Sequence, residues 1–352
     1  MSRITFNHPQ NQFFSTLSKN VDAYFRENKI KITGNKRLHS KAIFLISLLT
    51  VSYITLLFMN PSWFSILICV LLGFNFSAIG FNVMHDGAHG SFSSKKWLNE
   101  LAAYSLNLLG ASSFLWKIKH NVVHHSFTNI EDVDDDIDIK PWMRVSKGQP
   151  KFWFHKFQHI YWVLLYGVTY ILWVFYLDFQ KYFSRKIAIH EINKISRQEH
   201  LIFWTSKLFY LGLFVALPIM VVGWKLWLIG YLITGFVTGL TISVVFQLAH
   251  VVQEVEFPIP NEANKIETEW ATHQIQTTAD FATKNKFVSW YLGGLNFQVI
   301  HHLFPRISHI HYPKIQSIVK ETCAQFQVPY FEFQTVGGAI KSHVKHLKNL
   351  RN

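Results

Sequence analysis

Apolar residues gather in this chain into runs that are long for the core helices of a soluble domain. Residues 42–59 and 62–84 carry no charged side chain, and each reaches the length of about 18 residues that spans a hydrocarbon core of about 30 Å. Residues 208–224 and 226–249 form a second pair of such runs, parted only by Lys225. The pattern predicts an all-α integral membrane protein with four transmembrane helices in two hairpins. Two weaker stretches, 97–116 and 160–177, are apolar enough to meet lipid, and the first is broken by Asn99, Glu100, Asn107 and Gly110.

Three groups of histidines lie beside the ends of these runs. His85 and His89 stand in HDGAH, and His120, His124 and His125 in HNVVHH. His301 and His302 close QVIHH, behind Gln298. Residues four apart share a helical face, so His85 pairs with His89 and His120 with His124, while His125 sits one step round. Single histidines such as His155, His190 and His200 read as ordinary core or surface residues. Grouped imidazoles differ, because burying them is costly unless something engages their lone pairs. Neutral imidazole suits iron, copper, zinc or nickel, and seven such side chains are too many for one mononuclear site. Two metal ions fit the count.

A shared site requires all three groups on one side of the bilayer. Residues 1–41 hold eight Lys or Arg against two acids, and the spacing of Phe13, Phe14, Tyr24 and Phe25 predicts an amphipathic leader lying on the cytoplasmic membrane surface. No compact apolar run of a cleavable signal peptide precedes it. The uncharged turn at Asn60 and Pro61 suits the opposite side, so the first hairpin returns the chain to the cytoplasm at His85. Were 97–116 to cross, His120 would face away from His85; it is expected to lie in the interface or re-enter. The number of crossings between the second and third groups must be even, and the two later runs already supply two, so 160–177 is expected to be interfacial. Six Lys or Arg within 179–207 agree with a cytoplasmic position for that segment. Both termini and the site are then cytoplasmic, with 1–41 a basic leader and 42–352 one membrane domain whose interfacial helices and helical cap carry the metals.

Composition narrows the partners. A 352-residue chain that is 49% hydrophobic can bury a large core, and the +13 net charge flanks apolar segments without an aromatic-interleaved basic motif, which argues for membrane topology over nucleic acid. Cys69 and Cys323 offer neither a disulfide framework nor a thiolate metal site.

Further ligands are sought near the same mouth. His250 ends the fourth run and is a candidate ligand, since an ionisable residue at the edge of a span is a functional candidate by default. Gln298 could bind metal directly, act through water, or orient His301. Asp86 is a candidate to orient a box imidazole, and His273 a candidate to support the site or face substrate. The acidic run Glu131–Asp138 lacks the Glu-x-x-His pattern of soluble di-iron bundles and reads first as a solvated loop, with orientation of imidazoles as the lesser reading. Many histidines and few carboxylates beside long apolar helices suggest a metal pair acting on a lipid-like substrate, since redox iron with dioxygen can attack an unactivated C–H bond. A histidine-rich metal transporter would need polar residues along the spans, and 42–59 and 208–246 offer almost none.

HDGAH, HNVVHH and QVIHHLFP together resemble the three histidine boxes of membrane fatty acid desaturases. Gln298 in place of a histidine, followed by HHLFPRISHIHY, is similar to the front-end and linoleoyl-CoA desaturase branch, and GGLNFQVIHHLFP and TNIEDVDDDID extend the likeness. The resemblance implies a non-haem di-iron site held by His85, His89, His120, His124, His125, His301 and His302, with His250 as the extra histidine that relatives place after the last span. It implies removal of two hydrogens from an acyl chain, carried as acyl-CoA or acyl-lipid, using dioxygen and two electrons. Some relatives place an asparagine four residues before that extra histidine, acting through water; here Phe246 stands there, followed by Gln247. Many eukaryotic front-end relatives carry a fused cytochrome domain with an HPGG haem motif, where this chain has HPQN at His8, so no haem is expected in it. An external donor, a ferredoxin or a separate b-type cytochrome, is expected to supply the electrons. A hydroxylase or ketolase on the same scaffold is the nearest rival, because the oxidant is shared and box spacing does not distinguish the products.

Overall fold

The computed structural model describes residues 4–7 and 12–351; the HPQN stretch at His8 lies outside the described residues. The helices in chain order are α1 (Gln12–Glu27), α2 (Lys36–Phe58), α3 (Trp63–His89), α4 (Lys96–Ala103), α5 (113–127), α6 (Trp153–Ser184), α7 (Arg197–Val222), α8 (Trp224–His250), α9 (Trp270–Gln276), α10 (Lys286–Tyr291), α11 (Gln298–Leu303), α12 (Tyr312–Gln325) and α13 (Val336–Asn349). The strands among the described residues are ladders of two or three residues. Five helices, α2, α3, α6, α7 and α8, are long and apolar enough to cross a bilayer, the signature of a multi-pass membrane protein.

The helices outrun the apolar stretches because polar caps start them early. Asn35 accepts hydrogen bonds from Arg37 N (2.9 Å) and Leu38 N (3.3 Å), so the first apolar helix begins at Lys36, before residue 42. Ser196 accepts from Glu199 N (3.1 Å) and starts α7 at Arg197, before residue 208. The fifth apolar helix, α6, contains the stretch 160–177. Segments of the cap hold both its ends: Gln158 Nε2 donates to Arg144 O and Leu347 O, each at 2.9 Å, while Ser112 N donates to the Asp178 carboxylate at 2.7 Å.

Small residues bring the apolar helices together, as expected where lipid leaves no hydrophobic drive between them. A Cβ on Gly239 of α8 would stand 2.6 Å from Gly167 O and 2.8 Å from Tyr166 O of α6. Large apolar side chains such as Ile43, Phe44 and Val51 of α2 point outward, the arrangement expected of a lipid-facing surface.

The cap closes over one end of this bundle. Phe13, Leu17, Val21 and Phe25 of α1 are buried in a common core with Ile275 of α9, Ile300 of α11, and Ile315 and Val319 of α12. The amphipathic leader is therefore present, but its apolar stripe faces the cap and not the membrane surface, because α12 presents a matching apolar face. At the other end of the chain α13 buries Ala339 and Leu347 completely.

Gly239→Val is expected to force α6 and α8 apart, since the nearest atoms are backbone. It should cost at least about 2 kcal/mol, read as a lowered melting temperature in detergent. Gly212→Ala serves as control, because nothing lies within 4 Å of its Cβ.

Candidate metal centre

Two π-helical turns aim the histidines. Residues Gly80–Met84 of α3 form one, in which His85 N–H bonds to Gly80 O. Residues Lys117–His124 of α5 form the other, in which His125 N–H bonds to His120 O. An i→i+5 turn holds one residue more than an α-turn, so residues five apart come round to a common face. That returns His125, one step off in an α-helix, to the side of His120, and their Nε2 atoms stand 3.2 Å apart. Gly87, between the histidines of the first box, lets α4 pack close: a Cβ there would lie 2.6 Å from Ala103 N.

The structure brings all eight candidate histidines together, all but His89 deeply buried. His85, His89, His120 and His301 each offer a nitrogen within 4.8 Å of the others, and His124, His250 and His302 form a second such set. His125 stands between them, its ring 4.8 Å from His89, 4.6 Å from His301 and 4.5 Å from His302. The His250 and His302 Nε2 atoms are 3.2 Å apart, close to the separation of two imidazole nitrogens sharing one ion at about 2.1 Å. His89 Nε2, His124 Nε2 and His301 Nε2 are buried without a hydrogen-bond partner. Facing lone pairs and orphaned nitrogens are what a metal pair would satisfy, so the donor set fits one.

Electrostatics favours neutral, ligating rings at His120, His125, His301 and His302, but not at His124. Burial first, then neighbouring imidazoles, holds His125, His301 and His302 well below the ordinary histidine pKa. Burial also lowers His120, against its bond to Asp136. For His124 burial acts the same way, but the Asp134 and Asp136 carboxylates outweigh it and raise the pKa.

Outer partners engage one nitrogen of each of five rings. His124 Nδ1 lies 2.9 Å from Asp134, His120 Nδ1 3.2 Å from Asp136, His302 Nδ1 2.8 Å from Gln274 Oε1, His301 Nδ1 3.3 Å from the Tyr312 hydroxyl and His250 Nδ1 3.2 Å from Thr277 O. With the proton on Nδ1, each ring donates outward and keeps its Nε2 lone pair. Asp134 and Asp136 are thus not part of a solvated loop. Asp134 is fully buried, accepting also from Asn129 N at 2.9 Å, and Asp136 is paired with Lys119 at 2.6 Å.

Other candidates fall elsewhere. Asp86 accepts from Ser308 Oγ (2.8 Å) and the His309 ring (3.0 Å), fastening the first box to the segment after the third. Gln298 is buried one turn before His301 and His302. His273 is buried against the Phe6 ring, outside both ligand sets. Phe246 covers the rings of His124 and His250 at 5.0 and 4.9 Å, and Trp116 stacks on His120 at 4.4 Å. Sequence reasoning gave no role to Gln274, Tyr312, Thr277 and Asn129, although Gln274 stands beside His273, and Tyr312 and Asn129 lie in the stretches HHLFPRISHIHY and TNIEDVDDDID.

The sequence also matches known proteins. Residues 61–334 match the family model described as fatty acid desaturase. The chain is 37% identical to an sn-1 linoleoyl-lipid 6-desaturase of Arthrospira platensis, over 99% of this chain and 95% of the relative. It is 35% identical to the enzyme of the same name from a Synechocystis species, over 98% and 97%. It is also 37% identical to an acyl-lipid (8-3)-desaturase of Physcomitrium patens, over 96% and 71%.

Asp134→Ala is expected to weaken metal binding about 10- to 100-fold, measured as metal per chain after dialysis against graded chelator. Asp138→Ala, in the same acidic run but paired with Lys140 at 3.3 Å near the surface, should leave retention unchanged.

Proposed function

Because this chain belongs to the fatty acid desaturase family, we propose that its eight clustered histidines hold two iron ions. His85, His89, His120 and His301 would hold one, His124, His250 and His302 the other, with His125 between. The enzyme is an oxidoreductase that introduces a double bond into a fatty acyl chain. The observation supporting the ligand assignment is the convergence of all three boxes and His250, with partners on the outer nitrogens and unpartnered nitrogens within. The iron pair would supply the dioxygen-derived oxidising power for an unactivated C–H bond, beyond the reach of side chains. Per double bond, the balance is one dioxygen, two electrons and two protons taken up, with the two hydrogens of the substrate leaving in two waters.

The chain's own residues do the rest. Asp134, Asp136, Gln274, Tyr312 and Thr277 O fix the ring orientations, while Phe246 and Trp116 cover ring faces with apolar surface. An apolar cavity of about 290 Å³, lined by residues that include Leu56, Cys69, Leu72, Phe76 and Gly230, lies within the bundle. Phe76 is nine positions before His85, about 13 Å along α3 at 1.5 Å per residue, so the cavity suits the methyl end of a long chain whose reacting carbons lie at the histidines. The relatives named as linoleoyl-lipid desaturases support an acyl-lipid substrate and a double bond on the carboxyl side of existing ones. An external protein supplies the electrons.

The test is mass spectrometry of fatty acids from a host expressing the chain and fed defined acids. A new double bond is expected, lost in His301→Ala, while a hydroxylated product would replace this reading with that of a hydroxylase. Gly230→Leu, whose Cβ would point at Cys69 Sγ 3.2 Å away, should shift the products to shorter chains.

For topology, we propose four crossings, α2, α3, α7 and α8, with α6 in the interface and the termini and site cytoplasmic. Residues 42–352 then act as one domain, to which α1 adds its buried stripe. The hold of the cap on both ends of α6 supports this. In a Cys69→Ser, Cys323→Ser background, cysteines placed at Gly148 and Arg185 should react with an impermeant maleimide from the same side. Labelling from opposite sides would mean that α6 crosses.

A further inference from the structure

Between α1 and α2 the chain runs as a strap, residues 28–35, across the cap. Gly34 N–H donates to Ser91 O (2.9 Å), Ser308 N–H donates to Ile32 O (2.8 Å), and the His311 ring meets Thr33 O (3.4 Å). The two segments beneath the strap also reach the metal centre. Ser91 N–H bonds to Asp86 O beside His85, and Tyr312, next to His311, touches the His301 ring.

Exposed cations crowd these three segments: Lys29 and Lys31 on the strap, Lys95 and Lys96 after the first box, Arg306 and Lys314 after the third. None of the six forms an ion pair among the described residues. On the strap itself Ile30 and Ile32 are 38% and 43% exposed. The face therefore combines exposed apolar side chains with unpaired positive charge, and it lies over the first histidine set, with only Pro313 between Lys314 and the tyrosine that bonds His301.

We propose that this strap face docks an acidic, soluble one-electron carrier protein. The inference rests on the desaturase reading, which requires two electrons from outside the chain for each double bond. Complementary charge steers such a carrier and raises its association rate, and the Tyr312–His301 contact gives docking here a short path to the site. A lipid headgroup would use the charge but not that proximity.

The experiment uses the full chain in phosphatidylcholine nanodiscs with an acidic [2Fe–2S] ferredoxin, kept reduced, as the probe. Lys29→Glu, Lys31→Glu, Arg306→Glu and Lys314→Glu combined should lower kcat/KM for ferredoxin about tenfold or more and abolish its dependence on ionic strength. Single turnovers, in which iron-loaded enzyme is reduced anaerobically by dithionite with a small viologen mediator, freed of excess reductant and then given dioxygen, should form equal product in wild type and variant. A set with Gln at the same four positions, intermediate with ferredoxin and normal with dithionite, guards against misfolding. Unchanged ferredoxin kinetics in the Glu set would overturn the proposal. So would a loss that appears only when anionic phosphatidylglycerol is added to the discs, which would assign the face to lipid. No product from iron-loaded wild type under dithionite would instead remove the desaturase reading itself.

Discussion

Eight imidazoles share a space from which water is largely excluded, and the rest of the molecule follows from that. Taken alone the arrangement is unfavourable, because nitrogen lone pairs face one another and cannot all find hydrogen-bond donors. The protein commits each outer nitrogen it can reach to a carboxylate, an amide, a hydroxyl or a carbonyl, and turns the inner nitrogens toward a common centre. Burial then keeps His125, His301 and His302 uncharged at neutral pH, the state in which they can bind metal.

The scaffold meets this demand with close backbone contacts and local departures from α-geometry. The histidines come from the ends of α3 and α8, from α5, and from the short α11, so helices of very different length must end at one level. The π-turns in α3 and α5 rotate side chains without moving helix axes. Gly87 and Gly239 let neighbouring helices approach to backbone contact. The cap then binds the ends of α6 and packs α1 and α12 over the third box, which keeps solvent from the rings.

Much of this was legible in the sequence. The length of the apolar runs marked four of the five helices long and apolar enough to cross a bilayer, and the four-residue spacing of His85 with His89 and of His120 with His124 marked histidines that the structure brings together. What stayed hidden depended on contacts between distant residues. The place of His125 could not be read from α-helical spacing, because a π-turn leaves no pattern in residue types. Asp134 and Asp136 looked like solvent-facing charge, and only the fold back of their loop over α5 makes them partners of His124 and His120. Gln274 and Tyr312 are ordinary polar residues until α9 and α12 bring them to His302 and His301. The stripe of α1 was read correctly as amphipathic, but sequence alone could not say whether lipid or protein covers it.

The pair of bonds from Asp86 to Ser308 and His309 joins residues 222 and 223 positions apart. During synthesis the first box therefore emerges long before the residues that secure it. Until the chain has grown past His301, His85 and His89 lack a neighbour that completes their set. An ion taking all four nitrogens of that set must therefore wait until the chain has grown past His301.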